Sequence, residues 1–213
     1  MLKKSFSLLF ILFTIASVQA QSIEEGSNIV GFGVRLGIYN TTLTNQNPPS
    51  GTNPNSYGQT GDIIYHLSYD RGMNDHFTVG GQFRYNSFIV AKDTSATEIN
   101  VAYSIELDID AAYHFVRSEH TDLYIQALAG GSYIRIANTN INNQVVFTAE
   151  GISYGLELGA RFYIGDHFGI QLNFAYSGCY YPDGTIASLG GSSEKDSFLL
   201  TGSTYGLGLC YKF

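Results

Sequence analysis

The sequence predicts an all-β fold, an eight-stranded antiparallel up-and-down transmembrane β-barrel. Three observations carry the prediction. Apolar residues recur at every second position through eight segments, short and long connections alternate between those segments, and aromatics of the apolar phase gather at both segment ends.

The chain opens with MLKKSFSLLFILFTIASVQAQ. Lys3 and Lys4 supply a positive start, an apolar stretch runs from Phe6 to Ala16, and Val18-Gln19-Ala20 offers small residues for cleavage after Ala20. Residues 1–20 therefore read as a secretory signal peptide and residues 21–213 as one barrel domain. The apolar stretch is too short to span a bilayer, and no Cys follows the cut to carry a lipid anchor. Without Lys3 and Lys4, nine basic residues face 18 acidic ones with no basic run, so no nucleic-acid partner is expected.

The first segment, 28–40, sets Val30, Phe32, Val34, Leu36 and Ile38 on one face against Gly31, Gly33, Arg35 and Gly37 on the other. Segments 61–71 and 77–90 follow, joined by the tight GMNDH. In 101–115 the apolar phase is Val101, Tyr103, Ile105, Leu107, Ile109, Ala111, Tyr113 and Phe115, interleaved with Glu106, Asp108, Asp110 and His114. The fifth segment, 122–137, is ambiguous: Leu123, Ile125 and Ala127 compete with Leu128, Ile134 and Ile136 for the apolar face. In 151–164 the stripe is Ile152, Tyr154, Leu156, Leu158, Ala160, Phe162 and Ile164. Segments 168–180 and 199–213 complete the set, the last ending on Tyr205, Leu207, Leu209, Tyr211 and Phe213. VRSEHT and GDH are the other short connections. The stretches 41–60, 91–100, 138–150 and 181–198 read as loops rich in Asn, Thr, Ser, Gly and Asp. One rim thus carries tight turns and the other long loops.

Alternation alone does not say which face is wet. About ten tilted residues cross a bilayer core, and most segments reach that length. Only 14% of residues are charged, against roughly 25% in soluble domains, and the second face is mostly Gly, Ser, Asn and Gln with single charges. Tyr85, Tyr103, Tyr154, Tyr176 and Tyr205 fall toward the loop rim, while Phe77, Tyr113, Phe115, Phe162, Phe168, Tyr211 and Phe213 fall toward the turn rim, all in the apolar phase. Two aromatic belts on one face match the two membrane interfaces. Lipid is therefore the expected solvent of that face.

The signal, the eight segments, the run YDRGMNDHFTVGGQFRY around the first turn and the terminal Phe213 together resemble the outer-membrane β-barrel domain family common in Bacteroidota, with a size similar to the small barrels of the OmpA and OmpX type. The resemblance implies residence in the cell outer membrane and recognition of the C-terminal strand, through Phe213, by the barrel-insertion machinery. It implies no common activity.

Eight strands enclose a space that side chains fill, so no open channel is expected. If the second long loop centres near Ser95, Arg84 faces Glu106 across the ladder, an expected inward ion pair. Glu157 and Arg161, inward on one strand, are a second candidate pair. Cys179 and Cys210 face inward about 20 Å apart in height, too far for a disulfide. His76, His114, His120 and His167 lie by the turn rim with Asp75, Asp122 and Asp166, without the spacing of a metal motif; neither metal nor cofactor is expected. His66, Ser68 and Asp70 share the inward phase of one segment and are the only residues compatible with a lipid-modifying barrel enzyme. The expected role is structural or surface interaction without catalysis. The alternatives are that enzyme, a narrow pore, or an accessory subunit of an envelope secretion or assembly complex. The uncharged stretch 41–60, with three of the four prolines, is the largest expected exposed feature.

Overall fold

The computed structural model describes residues 23–48, 50–89, 99, 101–138, 145–188 and 193–213; the predicted signal peptide lies outside them. Eight strands, β1 (Asn28–Asn45), β2 (Asn55–Asn74), β3 (Phe77–Ile89), β4 (Val101–Arg117), β5 (Thr121–Asn138), β6 (Val145–Ile164), β7 (Phe168–Ser188) and β8 (Ser193–Lys212), pair antiparallel with their neighbours in chain order. β1 and β8 then close the ring, from Ile29 opposite Lys212 to Asn45 opposite Asp196. Closure is what lipid demands, since an open edge there has no water to satisfy its amides.

The register fixes the shape. Partners followed once round the ring run Ile29, Asp70, Gly80, Asp110, Leu128, Gly155, Ser177, Gly202 and back to Tyr39, ten residues further up β1. With strands about 4.8 Å apart and about 3.3 Å of rise per residue, a stagger of ten over eight strands tilts the strands by about 40° and leaves about 2.5 Å of height per residue.

Side chains alternate as the tilted ladder requires. Phe32, Val34, Leu36 and Ile38 of β1 point out, whereas Arg35 and Tyr39 are buried inside. The same holds for Leu107 and Ile109 against Glu106 and Asp108 on β4. Every aromatic of the two predicted belts lies on the outer face, Tyr103 partly covered by its stack on Tyr85, with ring centroids 5.8 Å apart. At the turn rim Phe77 meets Tyr113 at 5.1 Å and Phe168 meets Tyr211 at 4.9 Å. On four strands the two belts are eight residues apart (Phe77 to Tyr85, Tyr154 to Phe162, Phe168 to Tyr176, Tyr205 to Phe213), about 20 Å of height, close to the ~25 Å apolar band of such barrels.

The strands outrun the membrane on the loop side. The stretch expected as a loop over 41–60 is mostly ladder: β1 and β2 stay paired to Thr44 opposite Asn55, leaving 46–54 as the connection. β7 and β8 likewise pair through most of 181–198, with a bulge between Tyr181 and Gly184 that accommodates Pro182. The physical reason is that beyond the bilayer neither face has to be apolar, so these strands carry no period-2 signal. Polar cross-strand bonds replace it: Thr44 Oγ1 donates to Asn55 Oδ1 at 2.9 Å and Gln59 Nε2 to Asn40 Oδ1 at 3.0 Å.

Candidate functional site

The interior is built in two parts, a polar plug reaching from the turn rim past mid-height and an apolar chamber above it. Three buried arginines organise the plug. Nearest the turn rim, Arg161 of β6 donates to Asp70 Oδ2 across the barrel, sits 3.6 Å from Asp122, and lies over the Tyr124 ring with 4.4 Å to its centroid. Asp122 also accepts from His114 Nδ1 at 2.7 Å, and His114 Nε2 meets the Thr78 hydroxyl at 3.0 Å. The Tyr124 ring has room because its neighbour is Gly159; a Cβ there would fall 2.0 Å from the ring's Cζ.

Higher up, Arg35 of β1 reaches Glu157 at 2.5 Å and donates through Nε to His66 Nδ1 at 3.3 Å. Its stem passes over Gly206, where a Cβ would sit 2.6 Å from Arg35 Cγ. Glu157 also accepts from Asn173 Nδ2. Above this, Arg84 Nη2 lies 2.7 Å from both Glu106 Oε2 and Asp108 Oδ2. Glu106 accepts in addition from Asn86 and Ser104, and from the Cys179 thiol at 3.2 Å. Ser153 donates to Asp108.

Arg84 and Glu106 are thus direct partners, opposite each other in the β3–β4 ladder. Glu157 and Arg161 are not: each is ion-paired, but with Arg35 and with Asp70 respectively. The reason is distance along a strand, where residues i and i+4 are about 13 Å apart, while side chains projecting across a narrow barrel meet. His66, Ser68 and Asp70 do not form a relay. Both His66 nitrogens are engaged, by Arg35 and by the Gln171 amide at 2.9 Å, and Asp70 is held by Arg161. At the turn rim His76 Nδ1 meets the His114 carbonyl at 3.1 Å and His167 Nδ1 the Lys212 carbonyl at 2.8 Å. Among the described residues no three His, Cys, Asp or Glu are grouped to hold a metal ion. Cys179 and Cys210 are both free and buried, about 22 Å apart in height by the register.

Among the described residues, eight buried carboxyl groups (Asp62, Asp70, Glu106, Asp108, Asp110, Asp122, Glu157, Asp196) accompany the three arginines. Asp70 and Asp110 flank Gly80 on adjacent strands. Asp62 lies against Gly37, where a Cβ would fall 2.0 Å from its Oδ1.

Toward the loop rim the interior changes character on strand after strand. Asn86 gives way to Phe88, Ser104 to Ala102, Ser132 to Ile134 and Ile136, and Thr204 and Gly202 to Leu200 and Phe198. Tyr39, Ile134, Phe147, Ala149, Tyr181, Phe198 and Leu200 pack into one buried apolar cluster. Beneath it, Tyr39 shares a hydrogen bond with Ser177 at 3.0 Å, and Tyr181 with Ser132 at 2.6 Å. Beside the cluster lies a half-open pocket of about 270 Å³, lined by Ile134, Phe198 and Leu200 of the cluster with Phe88, Ile89 and Gln59. Sequence reading expected a polar interior throughout and missed this layer. Its trace was the phase conflict in the fifth segment, where Ile134 and Ile136 point inward while Leu123 and Ile125 face outward or the wall.

No curated protein matches the sequence. In solved structures the fold is that of small outer-membrane barrels. The outer membrane protein OprG from Pseudomonas aeruginosa superposes with TM-score 0.62 at 13% identity over 92% of this chain and 99% of that one. The outer membrane protein AlkL superposes with TM-score 0.52 at 15% identity over 92% and 94%, and the neisserial surface protein NspA with 0.50 at 11% over 85% and 97%. At these identities the likeness is one of fold. The sequence itself matches the outer membrane protein β-barrel domain family over residues 6–213, and the chain belongs to that family.

Proposed function

We propose that the protein is a non-conducting integral barrel of the outer membrane with a structural or surface-interaction role and no catalytic one. The observation that carries this reading is the plug: Arg35, Arg84 and Arg161 are each 2% exposed and held by carboxylates from other strands, so ion passage would have to break buried ion pairs at three heights. Breaking one such pair costs about 3–5 kcal/mol. Family membership gives the outer-membrane location. The outer face offers its apolar stripe to lipid, and β8 with Phe213 is the segment that the insertion machinery would engage. The β1–β2 hairpin carries no charge between Thr41 and Thr60, and its strands rise about 20 Å above the upper aromatic belt, beside the β7–β8 hairpin with Asp183, Glu194, Lys195 and Asp196. An adhesive or scaffolding contact through the β1–β2 hairpin fits that hairpin's polar, uncharged chemistry.

The test is electrical. The purified barrel, reconstituted in planar bilayers, is expected to give no discrete conductance steps under an applied voltage. Stable single-channel openings by the wild-type chain would overturn the reading.

A further inference from the structure

We propose that residues Ile23–Ser27, ahead of the first strand, form a strap that stoppers the turn-rim mouth of the barrel from inside, and that the seated Ile23 side chain keeps the lowest layer of the plug dry. The proposal stands independently of what the barrel contacts at its surface.

In the run SIEEGSN, Ile23 is the one apolar residue. It is wholly buried, in one cluster with Ile29, Tyr163 and Cys210. Those three belong to β1, β6 and β8 and are buried inside the ring. Ile23 is the member that comes from outside the sheet, so its side chain occupies the lumen and not the wall.

The backbone is shaped to put it there. Ser27 continues the β1–β2 ladder: the Gly72 N–H donates to the Ser27 carbonyl at 2.8 Å, and the Gly26 N–H to the Gly72 carbonyl at 2.9 Å. Gly26, at φ 85°, takes the left-handed conformation that turns the chain. The Ser27 hydroxyl donates to the Glu24 carbonyl across that turn at 2.8 Å. The Glu24 carbonyl then passes so close to Gly72 that a Cβ there would fall 2.2 Å from its oxygen. Gly72 is the gap through which the strap folds back. A fraying chain end has no use for such a fitted turn.

The seat lies next to an ion pair. Tyr163 is two residues nearer the turn rim than Arg161 on β6, and Ile29 stands opposite Asp70 in the ladder. Arg161 and Asp70 are bonded to each other, and Arg161 lies 3.6 Å from Asp122. Charges that meet in water attract far more weakly than the same charges in a dry interior. Above this layer the Arg35 and Arg84 layers keep water out. Below it Ile23 and Tyr163 do so, with the Lys212 ammonium over the Tyr163 ring, 5.0 Å from its centroid. Burial of one isoleucine side chain favours the seated strap by a factor of about ten or more.

Cys210 is a reporter built into the seat. The full chain is expressed into the outer membrane of a host bacterium, extracted in mild detergent and treated with N-ethylmaleimide. Cys210 and Cys179 are followed separately by peptide mass spectrometry. Wild-type Cys210 should react at least about tenfold more slowly than in the heat- and urea-unfolded chain. Ile23→Asp, which puts a charge in the seat, should raise the Cys210 rate by about tenfold or more. Gly72→Ala, which blocks the Glu24 carbonyl and leaves the strap's own sequence intact, should act in the same direction. In both, Cys179 should stay protected and the unboiled protein should keep its folded mobility on a gel. Ile23→Ala should give a smaller rise, and serves if the other two variants do not fold. The coupling of Arg161 with Asp70, from a double-mutant cycle of unfolding, should be weaker in the Ile23→Ala background than in the wild type. Wild-type Cys210 as reactive as in the unfolded chain, equal Cys210 rates in wild type and Ile23→Ala, Cys179 rising in step with Cys210, or a coupling that Ile23→Ala leaves unchanged would each overturn the proposal.

Discussion

Replacing Arg84 by Ala removes the cation that Glu106 and Asp108 share inside the barrel. Each carboxylate lies 2.7 Å from Arg84 Nη2, and the Arg84 side chain is only 3% exposed. At an effective dielectric constant of about 20, one such contact near 3 Å is worth about 5–6 kcal/mol before desolvation is counted. Desolvation cancels much of that, but the cancellation is one-sided in a variant: the carboxylates stay buried while their counter-charge is gone, at a cost of about 3–5 kcal/mol. Glu106 keeps Asn86, Ser104 and Cys179 as donors and Asp108 keeps Ser153, which places the loss near the lower end, about 3 kcal/mol. Glu106→Ala should cost less, about 1–2 kcal/mol, because Asp108 still pairs with Arg84. The double variant should then be less destabilised than the two losses summed, by about 1–3 kcal/mol of coupling. Reversible urea unfolding in lipid vesicles, followed by circular dichroism and extrapolated to zero denaturant, measures all three. An Arg84→Ala loss under about 1 kcal/mol, or strict additivity with Glu106→Ala, would refute the reasoning. The same cycle on Arg35 and Glu157 should show coupling, and Glu157 with Arg161 a smaller one, since their ionic partners differ and Tyr124 touches both.

Two further outcomes follow from the packing and the solvent. Gly159→Ala drives a methyl to within 2.0 Å of the Tyr124 ring, which Asn173 and Arg161 hold in place; a loss of about 1–3 kcal/mol is expected in the same unfolding assay, and it should shrink in a Tyr124→Leu background. Leu207→Arg puts a charge on the outer face near mid-height, where 59% of Leu207 is exposed, and should cost about 2–4 kcal/mol in vesicles, whereas Tyr57→Arg, well above the upper belt, should cost no more than about 1 kcal/mol. Equal effects at the two positions would mean that lipid does not bathe Leu207.

The lower two-thirds of the barrel was legible because one rule governs it. Within the bilayer one face must be apolar, so β1, β4, β6 and β8 announce themselves by alternation, and a single loop centre at Ser95 is enough to set Arg84 opposite Glu106. The rule lapses above the membrane. There Thr41–Asn45 and Asn55–Thr60 pair through their backbones with mostly polar side chains, Leu43 apart, and nothing in the pattern distinguishes such a strand from a loop. The apolar chamber was hidden for the opposite reason: Ile134, Ile136, Phe198 and Leu200 supply apolar residues in the inward phase, which reads as noise when polarity is expected there. The partners of Arg35 and Arg161 were out of reach because they are chosen across the barrel, 122 and 91 residues away in sequence. Which acid an arginine finds depends on the stagger of ten residues, a property of the closed ring that no single strand records.

The seam between the first and last strands sets a condition on how the protein is made. Asn28 and Phe213 exchange both of their backbone hydrogen bonds, at 2.8 and 2.9 Å, so the beginning of the first strand is held by the residue that follows the last. A ribosome-bound or C-terminally clipped chain presents two raw edges that a bilayer cannot tolerate. Closure must therefore wait until β8 has been made, and whatever carries the chain to its membrane has to keep β1 through β8 unpaired until the first and last strands can meet.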